Sequence, residues 1–394
     1  MQAPREAWLL RPGDVLVSPA PLSREFRRYV SALTGVPSEQ AAIIEVPPAG
    51  SVPLAEAVVR AGLLGEVRVH AGRPGAALLP TAMDASALAF ARQLGITVHP
   101  YNTVDDAAVA LPITMLLNTK AGFRQAAVRV GMRLPQGEVC RRPELEEVVN
   151  RLLQQHERVV VRPDRSAGGH GLRFLSRKDA RGVALALESV GGPDGTWVVE
   201  EYVPAAESVS IQMENTASGT RALFSGAMRT EQGSFTGYVS PLPPSCAHVA
   251  RELEAWGMRL GRHLAEGGYL GPFGVDALVS KAGVVYASES NVRRTATTTP
   301  HTMVYRLTAA SGVSRPAWAV SKRRTRMSFG FEEALDRLRG HRLAFDPARG
   351  EGVVLYADAP TDGHSWRYAV IAAHEGGVQE CEAGLEQAMG LDEA

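Results

Sequence analysis

The chain has 394 residues, more than one ordinary hydrophobic core encloses, so two or three domains are expected. Hydrophobic residues make up 45% and charged residues 21%, the balance of a globular chain. Lysine plus arginine and aspartate plus glutamate stand at 42 each, which excludes a whole-chain pull toward nucleic acid or an anionic membrane as partner.

Cys140, Cys246 and Cys381 lie far apart, and neither a CxxC nor a Cys/His zinc spacing occurs. A reducing, cytoplasmic setting is expected. The opening MQAPREAWLLRPGD carries charges where a signal peptide needs an apolar run, and no stretch approaches a membrane span.

Short strands and helices alternate through the first part. DVLVSPAPL (14–22) reads as a strand entering a loop, and SREFRRYVSALTG (23–35) as a helix. AAIIEV (41–46), EVRVHA (66–71) and ITVHPY (96–101) continue as strands, with LAEAVVRAGLL (54–64) and ASALAFARQLG (85–95) as helices. Such alternation predicts an open α/β layer with parallel strands.

A second unit begins near Leu117. A helix carrying Lys120 leads to Gly131 and Pro135, and another helix spans about 143–157. ERVVVRP (157–163), a glycine-rich turn and LRFLS (172–176) form strand, turn and strand, unlike a P-loop, whose glycines open a helix. TWVVEEYV (196–203), SVSIQME (208–214) and RALFSGAM (221–228) alternate as antiparallel strands do. In 248–268, Val249, Leu253, Trp256, Leu260 and Leu264 recur at helical steps and mark one buried face. From about 313 a basic run, Lys322-Arg323-Arg324 and Arg326, precedes GVVLYAD (352–358), RYAVIAAH (367–374) and a helix over 376–390, a small α+β appendage.

Three patterns carry chemistry. GPFGVDALVSKAGVVYASESNVRR (271–294) reads as a hairpin about a two-residue Ala282-Gly283 turn, pairing Lys281 with Val284 and so Asp276 with Glu289. Opposed residues share a face about 5 Å apart, and Asn291, two residues on, joins them. Carboxylates that close repel unless a cation intervenes, and oxygen ligands of this kind suit Mg2+. Next, Arg162 ends a strand before Ser166, Gly168, Gly169 and Gly171, a loop whose bare backbone can approach polyphosphate. Finally, the strand end at WVVEEYVPAAESVS (197–210) can read an adenine edge, with Glu207 accepting from ribose hydroxyls. Taken singly, each pattern also fits an ordinary surface turn or strand.

In this order, from Lys120 to His301, the set resembles the ATP-grasp superfamily. The resemblance implies α/β and α+β multidomain architecture: an N-terminal open α/β domain (1–117), two α+β subdomains clasping ATP (118–205 and 206–312) and a small C-terminal α+β domain (313–394). It implies ATP and Mg2+ as cofactors. Lys120 would contact phosphate, as would Arg162, which stands where the family usually has lysine. Ser166, Gly168, Gly169 and Gly171 would cover the phosphates. Glu200, Glu201, Tyr202 and Val203 would line adenine, and Glu207 would hold ribose. Asp276, Glu289 and Asn291 would ligate metal. Arg293 would meet the acyl phosphate or incoming carboxylate, and Arg229 the substrate.

Within the superfamily the chain is most similar to the pheganomycin-type peptide ligases, through LSREFRRYV, RTEQGSFTGYVSPLP (229–243), ESNVRRTATTTPH (289–301) and the GVVLYAD unit. The activity implied is ADP-forming ligation of a small-molecule carboxylate to the amine of an amino acid or peptide, and a homodimer is compatible with it. A carboxylase or kinase on the same nucleotide site, or a nucleotide-binding descendant without turnover, are the alternatives. His301 is expected to pack or hydrogen-bond rather than act as a base, and Arg294 to be structural or at the substrate edge.

Overall fold

A computed structural model of the chain describes residues 3–48, 50, 52–166, 171–178, 195–231 and 234–392. Contacts gather these into two compact units: residues 1–108, 237–241 and 294–394 in one, and 109–236 and 242–293 in the other. The chain therefore begins and ends in the same unit.

The first unit opens with a 3-10 turn (Ala3–Leu9), then β1 (Val15–Ser18), α1 (Arg24–Thr34) and β2 (Ala42–Glu45). Ser23 caps α1 by accepting from the Phe26 N–H, and Gly35 ends it in the left-handed region, as the sequence signals require. α2 (Leu54–Arg60), α3 (Leu64–Ala71), β3 (Ala77–Leu78), α4 (Ala85–Leu94) and β4 (Thr97–Val98) follow. β1 pairs with β2 and β3 with β4, both in parallel, as two separate two-stranded pieces. The expected strand at 66–71 is instead the helix α3. Its alternation of valines misleads: Val67 is buried, but Val69 is 70% exposed, and Glu66 with Arg68 and His70 supplies helix-favouring end charges.

α5 (Val104–Leu117) leads into the second unit, with α6 (Lys120–Arg129), β5 (Gly137–Arg141), α7 (Leu145–Gln155), β6 (Arg158–Pro163), β7 (Arg173–Ser176) and β8 (Thr196–Glu201). These strands form an antiparallel sheet in the order β5-β8-β6-β7. α7 packs on it through Leu145, Val148, Val149, Leu152 and Leu153 against Val159, Val161 and Val199. β9 (Ala205–Thr216), β10 (Gly219–Glu231), β11 (Ser234–Ser240), α8 (Ala247–Glu266), β12 (Gly271–Ser280) and β13 (Val285–Asn291) come next. Within the second unit β13-β12-β9-β10 are neighbours in that order, all antiparallel. α8 buries the expected Val249, Leu253, Trp256, Leu260 and Leu264, and Gly257 admits the Met213 side chain, where a Cβ would stand 2.7 Å from its sulfur.

The chain returns to the first unit with α9 (Thr298–Thr308), β14 (Ala317–Arg324), α10 (Phe331–Gly340), β15 (Gly352–Val354), β16 (Ser365–Ala372) and α11 (Glu375–Met389). The end of β11 pairs with β14, and β16 lies between β14 and β15. Trp8 meets Phe26 and Tyr29 edge-on, and both of these rings meet Phe331, so N- and C-terminal segments share one aromatic core.

One buried ion pair ties the second unit's elements together. Glu200 on β8 accepts from Arg124 of α6 at 2.7 Å and from Arg162 of β6 at 2.5 Å, and its side chain is only 7% exposed. Arg124 also donates to the Pro135 and Gly137 carbonyls, and Arg162 to the Ser288 hydroxyl on β13. Gly137 lets β5 approach, since a Cβ there would lie 2.3 Å from the Val199 carbonyl oxygen. Glu200→Ala would strand two buried guanidinium groups, and we expect it to lower unfolding free energy by about 3–5 kcal/mol. Urea denaturation measures this. A loss no larger than that of Glu138→Ala, whose Arg151 partner is half-exposed, would show that the buried pair does not hold the elements.

Candidate functional site

The hairpin β12–β13 opposes Asp276 to Glu289, as the register arithmetic expects, but by a different route. The turn is not the two-residue Ala282-Gly283 type. Ser280 N–H donates to Val284 O, enclosing Lys281, Ala282 and Gly283, with Gly283 at φ 78°. That extra residue shifts the pairing so that Val279 meets Val285, and a bulge at Ser288, between the Ala277 and Asp276 pairs, restores it. Asn291 sits opposite Gly274, and its Nδ2 donates to Asp276 Oδ2 at 2.9 Å.

This face is electrostatically loaded. Burial, then the neighbouring Glu289 charge, pushes the Asp276 carboxyl well above the ordinary carboxylate range, while Arg293 and Asn291 pull the other way. Arg293 donates to Asn291 Oδ1 at 2.6 Å, which orients the amide. Lys120 Nζ lies 3.4 Å from Glu289 Oε2. Two mutually repelling carboxylates and one amide, all offering oxygen, are a donor set that fits a hard divalent cation such as Mg2+.

Lys120 reaches this face because its backbone is held there. Thr119 caps α6 by accepting from Gly122 N–H, and the Ala121 N–H donates to Asp164 Oδ1 at 2.8 Å. Asn118 grips the segment after β13 through both its amide atoms, to Val292 N and Val292 O, and Ser290 Oγ donates to Leu117 O at 2.6 Å. Lys120 is itself buried and donates to the Ser166 carbonyl and hydroxyl, each at 3.1 Å. A cavity of about 180 Å3 results, lined by Asn118, Lys120, Arg165, Ser166, Glu289 and Arg293 among others. A helix start, a lysine and two arginines around it favour an anion.

The remaining expected site residues are distributed as follows. Gly168 and Gly169 lie outside the described residues. Gly171 has φ 77°, and a Cβ there would meet the Pro163 ring at 2.7 Å, so glycine is needed twice over. Glu200 to Val203 do not form a wholly open strand end. β8 is central in its sheet, Glu200 is consumed by its two arginines, and the Glu201 and Tyr202 N–H groups donate to Gln136 O and Arg158 O. Glu201 also accepts from Gln136 N–H, and the Tyr202 ring lies under the Arg158 guanidinium. Val203 is buried just beyond the strand.

Glu207 pairs with Val279, so it occupies the face opposite to that of Asp276, and Cys246 Sγ approaches its carboxylate at 3.7 Å. Arg229 follows Met228, which pairs with Ser208, and the alternation of β10 therefore turns it from the Asp276 face too. In the first unit, Arg294 donates to Glu6 and Thr299, and His301 packs against Tyr305 and Trp318. Burial holds His301 down at about 4, so it is neutral at pH 7.

Sequence reasoning did not single out Arg124, Asn118, Asp164 or Arg165. Only Arg124 left a trace, one helical turn after Lys120 in the same helix.

Two family models match the chain: "Pre ATP-grasp domain" over residues 3–96 and "PGM1 C-terminal domain" over 333–385. No curated protein matches it in sequence. Among solved structures it is similar to N5-carboxyaminoimidazole ribonucleotide synthetase of Thermus thermophilus, at 14% identity and TM-score 0.63, covering 98% of this chain and 96% of that one. Biotin carboxylase of Campylobacter jejuni, as a β-γ-ATP complex, gives 13% identity and TM-score 0.62 over 97% and 92%. N5-carboxyaminoimidazole synthase of Aspergillus clavatus, with ADP and 5-aminoimidazole ribonucleotide, gives 12% and 0.58 over 97% and 98%. At such identities the likeness speaks for architecture, and it extends over nearly the whole chain: this is an ATP-grasp fold.

Proposed function

We propose that the protein is an ATP-dependent, ADP-forming ligase that joins a carboxylate to an amine. The observation that carries the proposal is the convergence of Glu289, Asn291, Lys120 and Arg293 around one cavity, with Asp276 joined to them through Asn291 and opposite Glu289. Solved structures of the same fold that hold ATP or ADP support the choice of nucleotide.

In this reading a substrate carboxylate attacks the γ-phosphorus of ATP, the bond to the bridging oxygen breaks, and ADP leaves. The amine then adds to the acyl phosphate carbonyl and expels inorganic phosphate, losing its proton as the amide forms. Mg2+, when held by Asp276, Glu289 and Asn291, supplies charge neutralisation to the phosphates. Lys120 would release Glu289 and Ser166 to hold phosphate oxygens. Arg293, beside Asn291, would take the acyl phosphate or the incoming carboxylate through its planar fork. Arg162 replaces the usual lysine, and its commitment to Glu200 and Ser288 suits an arginine that positions more than it binds. Residues 118–312 would carry the nucleotide, with 1–117 and 313–394 flanking, and the setting would be cytoplasmic.

The sequence resemblance favours an amino acid as the acid and an amino acid or peptide as the amine. The carboxylating enzymes among the similar structures support a second reading, in which bicarbonate is the acid. ADP release, measured against panels of amino acids, dipeptides and bicarbonate with mass detection of products, separates the two. Protein that binds ATP yet releases no substrate-dependent ADP with any of them would end both readings.

Glu289→Gln is expected to reduce turnover by about a hundred- to a thousandfold, because it weakens the hold on the cation that would neutralise the transferring phosphate. Its thermal midpoint should stay close to the wild type, because relieved repulsion of Asp276 offsets the weakened contact with the buried Lys120. A fall of several degrees would make Glu289 structural instead. Arg162→Lys should retain part of the activity, since the positive charge remains near Glu200; complete loss with intact ATP binding would mean that the Ser288 contact is indispensable.

A further inference from the structure

The first unit carries a second place where positive charge is left unanswered. Arg5, in the opening 3-10 turn, is 8% exposed. Its Nη1 donates to Ala296 O at 3.3 Å, but its Nε and Nη2 are buried without a hydrogen-bond partner. Buried donors on a charged group are costly to leave unmatched. The turn is not loosely placed: Trp8 Nε1 donates to Tyr356 O at 2.9 Å, and Arg306 donates to the Trp8 and Leu10 carbonyls at 3.0 and 2.7 Å.

Arg367 on β16 adds a second guanidinium. β15 ends where Val354 pairs with Ala369, and just beyond it Tyr356 comes near enough to Arg367 for the guanidinium charge to act on its hydroxyl. Lys322 of β14 is directly opposite Arg367 and exposed, which extends the basic strip. Arg367 has no ion-pair partner among the described residues. Burial first, and then the Arg367 charge, depresses the Arg5 pKa, with Tyr356 and Glu6 acting in the other direction.

Glu6 is the nearby carboxylate, and it is already engaged. Its Oε1 accepts from Thr299 Oγ1 at 2.9 Å and its Oε2 from Arg294 at 3.4 Å. Among the described residues Glu6 is the carboxylate whose charge acts on Arg5, and it is shared with Arg294, while Arg367 adds like charge. The Tyr356 hydroxyl, kept protonated by burial, is a donor among them.

We propose that Arg5, Arg367 and the Tyr356 hydroxyl form a binding site for an oxyanion group, a carboxylate or a phosphate, on a small-molecule ligand. Guanidinium forks match the oxygens of either group, and the ligand would satisfy the Arg5 donors that the protein leaves open. The site lies wholly within residues of the first unit and stands whether or not the ligase reading does.

The test follows the thermal midpoint of the full chain during titration with sodium phosphate and, separately, sodium acetate, against sodium chloride at equal ionic strength. A saturable rise above chloride is expected, from phosphate alone, acetate alone or both, and this identifies the group that binds. Arg367→Gln, a half-buried position without a partner to lose, should weaken the apparent affinity at least about tenfold. Lys120→Met should remove only the share of the rise that its own separate anion cavity contributes, and should leave the share that Arg367→Gln weakens. The proposal is overturned if neither anion exceeds chloride. It is also overturned if the rise is linear and the same in Arg367→Gln, the signature of excluded solute, or if only Lys120→Met abolishes it.

Discussion

Two carboxylates are placed opposite one another on β12 and β13, and much of the second unit is arranged around that repulsion. Burial raises the Asp276 carboxyl above the ordinary carboxylate range, and the Glu289 charge opposite raises it further. Lys120 approaches Glu289, Asn291 donates to Asp276, and Arg293 completes the line through the Asn291 oxygen. A divalent cation would replace these partial answers with a direct one. The arrangement thus has the character of a site that stores unfavourable electrostatics for a ligand to relieve.

The partners that answer the repulsion come from distant parts of the chain, and their positions depend on hydrogen bonds of their own. Asn118 and Ser290 stitch the start of α6 to the end of β13, so that Lys120 and Glu289 meet although they stand 169 positions apart in sequence. Behind them, Arg124 and Arg162 converge on Glu200. Arginine at 162 is therefore more than a substitute for lysine. Its fork can reach Glu200 and Ser288 at once, which a single ammonium on a shorter reach does less well.

The first unit solves a different problem. Its parallel strands come in pairs, each too small to stand alone, and the chain's two ends are brought together to make a core. Trp8, Phe26, Tyr29 and Phe331 join the two ends in edge-on ring contacts. The same convergence brings Arg5 against the C-terminal sheet, where its charge is left without a carboxylate of its own.

Local chemistry was legible in the sequence wherever neighbours in the chain decide the outcome. The helix within 23–35, the buried stripe of α8 and the common face of Asp276 and Glu289 all follow from spacing. Even there, the register came out right through two compensating irregularities, a longer turn and a bulge, which pairwise counting does not see. Residues 66–71 show the limit: alternation suits a strand, yet with only Val67 buried there is no sheet face to fill, and the segment coils. What tertiary structure alone decided was the company each charge keeps. Glu200 became a buried anchor with Arg124 as its unannounced partner, Glu207 and Arg229 were turned to the other face, and Asn118 came to line the cavity. Sequence sets the period of side chains along one element. The pairing of charges between elements depends on desolvation and distance, which exist only once the chain is folded.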